Sequence, residues 1–264
     1  MRVKCSRYPD WINFDFDKPC EVHMQYPETP FYRDGVFRVF IDSTEPSSSC
    51  VHPSVLSKLA PLYDLILTKS KNVVSENKNS RLFYFGGTFV GPDPDVPKEF
   101  SVSFLATRPP WNLPNYHIRY SLWNRRDEIR IPKKFYSSSR HPVDPTAALP
   151  GDGGNSDKKI LFRSMFHIST ENTTEAGYFT EKLIDSLCTK TVPIYMGHRE
   201  TVTSVFDEKG ILFAESTDDI IRIANSCSSD IYYDMMPHIE ENYKRSLEYC
   251  DDMNSRILKA ICNA

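Results

Sequence analysis

Residues 166–197 read FHISTENTTEAGYFTEKLIDSLCTKTVPIYMG, and few folds accommodate that order of segments. Phe166–Ile168 is an apolar run that reads as the end of a buried strand. Glu171-Asn172-Thr173-Thr174 is a polar turn. Leu183, Ile184 and Leu187 then recur at helical spacing, which predicts an amphipathic helix. Val192–Met196 is a second buried strand, closed by Gly197. Strand, turn, helix and strand make a βαβ unit with a right-handed crossover. Open α/β sheets bind ligands outside the carboxyl ends of their strands. Glu171, Asn172, Tyr178, Thr180, Glu181 and Lys182 all fall at that edge.

The chemistry of the edge follows from its side chains. A helix N-terminus presents unpaired N–H groups and partial positive charge, so it suits an anion such as a diphosphate. Lys182 adds a point charge there. A carboxylate beside a phosphate is repelled, so Glu181 makes sense if it faces hydroxyls, and a ribose offers two to one carboxylate. An anion cradle with a hydroxyl clamp suits a nucleotide or a nucleotide sugar. The same letters also admit a plainer reading, in which Glu171 and Thr173 cap the helix while Glu181 and Lys182 form its solvated face.

The run from Glu171 to Gly197 resembles the donor-binding motif of glycosyltransferase family 10, the fucosyltransferases. That motif leads from a Glu-Asn pair to Tyr-x-Thr-Glu-Lys and on to a Val/Ile-Pro-Ile strand ending in Gly. The corresponding residues are Glu171-Asn172, Tyr178-Phe179-Thr180-Glu181-Lys182, Val192-Pro193-Ile194 and Gly197. The resemblance implies an α/β protein of GT-B-like architecture, with two Rossmann-like domains and the active site in the cleft between them. It also implies inverting sugar transfer from a nucleotide donor, with no essential metal and no cofactor beyond the donor.

Bulk properties narrow the partners. Lys and Arg number 32 against 35 Asp and Glu, a net charge of -3, which gives no reason to expect nucleic acid or an anionic membrane. No apolar run approaches the about 20 residues that span a bilayer. The opening MRVKCSRYPDWINFDF lacks the apolar middle of a signal peptide. A soluble, cytoplasmic protein without a membrane span is therefore expected. The 7 cysteines form no CxxC pair, which suits reduced thiols better than a disulfide framework. The sequon Asn172-Thr173-Thr174 lies inside the proposed site and reads as coincidence.

Taken in order, the chain gives a strong strand at Val36–Ile41, ending in Asp42-Ser43-Thr44-Glu45-Pro46. In the fucosyltransferases a glutamate in a comparable strand-end turn acts as catalytic base. Glu45 resembles it, with Asp42 as the rival. Leu62–Thr68 and Leu82–Phe85 read as further strands, joined by an exposed polar connection, KSKNVVSENKNS. Gly86-Gly87 and the prolines of 92–97 mark a break. The expected division is an acceptor-side domain over 1–97 and a donor-binding domain over 98–264. Ser101–Leu105 opens the second domain, and a helix follows at 118–129. Family members carry an arginine at that helix start to grip the donor diphosphate, and Arg119 matches it. Its planar fork suits two phosphate oxygens. His117, Arg125 and Arg126 are alternates. The segment 137–158 is rich in Ser, Pro and Gly and reads either as a lid that orders over a ligand or as a simply disordered loop. A turn and short strand follow at Phe206–Phe213. The pattern is helical from Thr217, with one or two helices over 231–261 broken near Pro237.

The leading expectation is an inverting glycosyltransferase that moves a sugar from a nucleotide-diphosphate donor to a hydroxyl of a glycan or glycoprotein. The family name implies GDP-fucose. A UDP-sugar enzyme, such as a xylosyltransferase acting on a fucose-containing glycan, is the alternative within the class. A nucleotide- or carbohydrate-binding protein without catalysis is the alternative outside it. Asp15-Phe16-Asp17 and Asp93-Pro94-Asp95 spell the metal-binding DxD of the other large glycosyltransferase fold, GT-A, and the first of them carries a third reading.

Overall fold

The computed structural model describes residues 4–5, 12–24, 35–42, 52–108, 114–139, 141–150 and 155–263. The chain forms two compact units. One comprises 1–85, 175–178 and 251–264, and the other 86–174 and 179–250. Residues 86–97, 175–178 and 251–264 thus fall on the opposite sides from those expected.

The first unit holds β1 (Lys4–Cys5), β2 (Cys20–Met24), β3 (Phe37–Asp42), α1 (Pro53–Leu59), β4 (Leu65–Thr68), α2 (Lys71–Glu76) and β5 (Ser80–Leu82). Its five strands pair in chain order, all parallel. Parallel sheets are covered on both faces. Accordingly Val39, Phe40 and Ile41 are all fully buried. The strand expected at 62–68 begins only at Leu65, because Ala60–Leu62 forms a 3-10 turn. The polar connection KSKNVVSENKNS is not simply exposed. It contains α2, capped by the Ser70 hydroxyl and anchored by buried Val73. The LFYF segment is strand only at Leu82; Phe83 and Tyr84 continue beyond it as buried chain, with the Phe83 N–H donated to the Thr68 carbonyl at 2.9 Å.

The second unit runs β6 (Glu99–Ala106), α3 (Tyr116–Asn124), β7 (Lys133–Ser137), β8 (Ser164–Thr170), α4 (Glu181–Leu187), β9 (Val192–Met196), α5 (Arg199–Thr203), β10 (Leu212–Phe213), α6 (Thr217–Ser226), α7 (Ser229–Asp234) and α8 (Met236–Ser246). The strand order is β10-β9-β8-β6-β7, all parallel. From β6 the chain steps to β7 on one side and then to β8 on the other. The sheet therefore has a topological switch point between β6 and β8, the place where doubly wound sheets bind ligands. All seven residues of β8 and all five of β9 are buried. α4 turns Leu183, Ile184 and Leu187 inward, each worth roughly 1.5–3 kcal/mol of burial.

β7 was not expected. It is a half-buried edge strand, KKFYS, without clear alternation. The long segment after it is only partly a loop: Ser137 ties it back by accepting the Val143 and Asp144 N–H groups, and 3-10 turns occupy 145–147 and 155–163. The break expected near Pro237 lies at Met235, between α7 and α8, and Pro237 stands in the first turn of α8, which tolerates its missing N–H. A final helix, α9 (Met253–Cys262), belongs to the first unit. Its Ile257 and Ile261 join the core of Val22, Val39 and Leu65, while Arg256 donates to the Tyr84 carbonyl at 2.6 Å. Among the described residues no helix is long and apolar enough to cross a membrane.

Candidate functional site

A cavity of about 260 Å³ opens at the switch point of the second sheet. Its walls come from the carboxyl end of β6 (Phe104, Leu105, Thr107), the end of β8 (His167–Thr170) with Asn172, α3 (Tyr116, Arg119) and α4 (Glu181, Lys182, Asp185). Lys158, Leu161 and Phe162 close another side.

α4 starts where it does because Thr180 caps it, its hydroxyl accepting the Lys182 N–H at 3.3 Å. Thr180 is in turn fixed by Glu171, which is wholly buried. The two Glu171 carboxylate oxygens accept the Thr180 N–H at 2.8 Å and the Thr180 hydroxyl at 2.7 Å. The Tyr195 hydroxyl reaches the same carboxylate at 3.4 Å. Burial pushes the Glu171 carboxyl upward, opposed by the ammonium of Lys182 at 3.8 Å. Ser169 on β8 donates to the Lys182 carbonyl at 2.8 Å, which pins the first turn of the helix to the strand.

Lys182 reaches Thr180 Oγ1 at 3.1 Å and Glu181 Oε1 at 3.0 Å. Burial disfavours its charge, yet Glu181 and Glu171 outweigh that and hold the ammonium above its ordinary value. Burial likewise acts against the Glu181 carboxylate, but Lys182 and Lys158 keep it ionised and below the usual range.

Arg119 lies in the first turn of α3, only 4 % exposed. Its Nη2 donates to the Thr170 carbonyl and, at 2.7 Å, to Asn172 Oδ1. The Tyr116 ring lies 4.8 Å beneath it. Both bonds leave from one nitrogen, so Nε and Nη1 have no hydrogen-bond partner among the described residues, and Arg119 lines the cavity. The Asn172 of the sequon is therefore engaged with Arg119.

Of the residues expected at the site, the structure brings Arg119, Asn172, Glu181 and Lys182 together around the cavity. Glu171 and Thr180 stand behind them and shape the helix start. Tyr178 is buried and lies in the 175–178 segment grouped with the first unit. The alternates point elsewhere. His117 is exposed, Arg125 pairs with Glu128 and Asp218, and Arg126 donates to the Trp123 carbonyl. Glu45 lies outside the described residues. Its rival Asp42 is buried at the end of β3 and accepts the Thr68 hydroxyl at 3.1 Å. Burial raises the Asp42 carboxyl, against the pull of Lys69. Lys158, His167 and Asp185 line the cavity and were not foreseen. Asp185 could have been, since it lies four residues beyond Glu181 on the same helix face.

Asp15 and Asp17 are exposed, and no cluster of three metal-ligating side chains occurs among the described residues. Two parallel α/β sheets are also the wrong setting for the third reading, which required a GT-A fold.

Residues 149–225 match the family model described as glycosyltransferase family 10 (fucosyltransferase), C-terminal. No curated protein matches the chain. Among solved structures, an alpha1,3-fucosyltransferase with GDP is 16% identical, covering 98% of this chain and 80% of that one at a TM-score of 0.53. The same activity with GDP-fucose gives 17% identity, 88% and 80% coverage, and a TM-score of 0.51. An S. aureus TarM variant with fondaparinux, alpha-GlcNAc-glycerol and UDP is 10% identical over 92% of this chain and 55% of that one, with a TM-score of 0.52. The fold is GT-B-like.

Proposed function

We propose that this glycosyltransferase, similar to family 10, moves a sugar from a nucleotide-diphosphate donor to a glycan hydroxyl, with inversion at the anomeric carbon and without a metal ion. The observation that carries the reading is that two cationic side chains, buried Arg119 and Lys182, line one cavity at the switch point of the sheet. Arg119 keeps its Nε and Nη1 donors for phosphate oxygens, and Lys182 adds an ammonium. As the bond from the anomeric carbon to the phosphate oxygen breaks, negative charge grows on the diphosphate. Arg119 and Lys182 stabilise that growing charge more than the ground state, which is what lowers a barrier. Glu181 holds the ribose hydroxyls. Glu45 takes the proton of the acceptor hydroxyl as that oxygen attacks from the face opposite the leaving group. Residues 1–97 serve the acceptor side in this scheme and 98–264 the donor side, with the boundary shifted as the two compact units indicate.

GDP-fucose is the preferred donor in this reading, supported by the family-10 match and by the fucosyltransferases with GDP and GDP-fucose. The UDP in TarM supports a UDP-sugar as the second reading. The test is a panel of GDP- and UDP-sugars with glycan acceptors, run in EDTA, with the product anomer read by NMR. Transfer with inversion in EDTA is expected. Neither binding nor turnover of any donor would overturn the reading, retention would overturn the single displacement, and rescue only by a divalent cation would overturn the metal-free part.

A further inference from the structure

In the wall of the same cavity, a carboxylate and an ammonium stand without a direct ion pair between them. Asp185 is 2 % exposed. It accepts the Thr88 hydroxyl at 2.6 Å, the Phe89 N–H at 2.8 Å and the Val90 N–H at 3.4 Å. All three end on Oδ1, so Oδ2 has no partner among the described residues, and Asp185 lines the cavity. Lys158 lies across from it, its Nζ 4.1 Å over the Phe89 ring. The two groups feel each other's charge but form no direct ion pair. His167 adds none: Ser103 donates to the Leu161 carbonyl at 2.7 Å, which leaves its oxygen to accept from His167 Nδ1 at 2.7 Å. Burial first, and then Lys158, hold His167 neutral, down at about 3.

We infer that Asp185 and Lys158 read the lactam edge of the donor's nucleobase. The inference rests on the donor-site reading above and adds the base. With the diphosphate at Arg119 and the ribose at Glu181, one helical turn along α4 brings the base to Asp185. An acceptor and a cation side by side with a gap between them match a ring N–H beside a C=O. Guanine, hypoxanthine and uracil present that edge, N–H to Asp185 Oδ2 and carbonyl to Lys158 Nζ. Adenine and cytosine present the reverse, a bare ring nitrogen beside an amine. Their ring nitrogen would place a lone pair against the carboxylate, or their amine protons against the ammonium. Guanine's 2-amine adds a second donor on the Asp185 side, where uracil carries a repelling carbonyl. The order of preference is therefore guanine, then hypoxanthine, ahead of adenine.

Inosine and adenosine diphosphates differ only at this edge, so they isolate it. Calorimetric titration of the whole chain should show GDP and IDP binding at least about tenfold tighter than ADP. In Asp185→Asn the carbonyl can keep the Thr88, Phe89 and Val90 donors, while an amide N–H replaces Oδ2. The IDP-to-ADP ratio should then collapse towards unity. Lys158→Met, which removes no hydrogen bond of the fold, should lower the same ratio and carries the test if the Asn variant misfolds. Arg119→Met should weaken all three nucleotides alike, which reports on the donor site rather than the base. Equal affinity of wild type for IDP and ADP, or an unchanged ratio in both base-end variants, overturns the inference while leaving the donor site standing. Absence of binding by every nucleotide overturns both.

Discussion

Replacing Glu171 separates a residue that builds the site from one that touches the ligand. Its carboxylate is fully buried and receives the N–H and the hydroxyl of Thr180 at 2.8 and 2.7 Å. Glu171→Gln keeps the volume, but its amide oxygen satisfies only one of those donors and its amino group opposes the other. Losing one charge-assisted bond costs about 1.5–3 kcal/mol. Glu171→Ala leaves both Thr180 donors without their acceptor and takes from Lys182 the farther of two carboxylates, at 3.8 Å, while Glu181 stays at 3.0 Å. Losing both charge-assisted bonds costs about 3–6 kcal/mol. At about 2–4 °C per kcal/mol for a fold of this size, the apparent Tm should fall by about 3–12 °C for Gln and about 6–24 °C for Ala. Thermal and urea unfolding followed by circular dichroism measure this, with GDP titration alongside at a temperature where each variant is folded. An Ala variant melting within about 2 °C of wild type would refute the structural account. So would an unchanged Tm with donor affinity abolished, which would make Glu171 a direct ligand contact.

Four further outcomes are expected. Arg119→Lys keeps the charge but loses the guanidinium that is held by Thr170 and Asn172 and still has donors to spare, so the donor Kd should rise about tenfold or more; an unchanged Kd in titration would remove Arg119 from the phosphate. A Cβ at Gly197 would lie 2.3 Å from the hydroxyl of fully buried Tyr195, so Gly197→Ala should cost about 1–3 kcal/mol in urea unfolding; a wild-type midpoint would contradict the packing. Burial, opposed by Asp93, lowers the Lys98 ammonium to about 7. The unfolded state therefore binds more protons between about pH 7 and 10, so stability should rise with pH across that window, and Lys98→Met should flatten the rise; parallel pH profiles would refute this. Glu45→Gln should reduce turnover by about 10²–10⁴-fold with donor affinity kept; a Glu45→Gln enzyme of normal rate, beside an Asp42→Asn enzyme that folds but is inactive, would move the base to Asp42.

The heart of the second sheet was legible because its signals are strong and local. β8 and β9 are continuous apolar runs, and α4 announces itself by the spacing of Leu183, Ile184 and Leu187. Asn172, Glu181 and Lys182 were picked out by their place at a strand's carboxyl edge and Arg119 by the family resemblance, and all four line one cavity. What escaped depends on contacts distant in sequence. α2 hides in a polar run because a single inward valine, Val73, suffices to seat it. β7 is half-buried and lacks alternation. Lys158 sits in a stretch with no periodicity and gains its place through Phe89, far away in the chain. Glu171 and Thr180 carry the letters of ligand-binding residues, yet a fully buried carboxylate that spends both oxygens on a helix cap is a different thing. Only the geometry separates the two.

α9 has a consequence for how the protein is made. Ile257 and Ile261 complete the core around Val22, Val39 and Leu65, and Arg256 holds the carbonyls of Tyr84 and Phe85. On the ribosome, β1–β5 emerge well before those residues exist. At 5–20 residues per second the delay from Leu82 to Met253 is roughly 10–30 s. Throughout it the first sheet lacks one covering layer, and its apolar face is open to chaperones or to other nascent chains. The second unit, whose segments end at residue 250, acquires all its parts sooner. The unit that begins first is thus the last to be complete, and a ribosome stalled just before codon 253 would hold a chain in which every segment of the second unit has been made and α9 of the first has not.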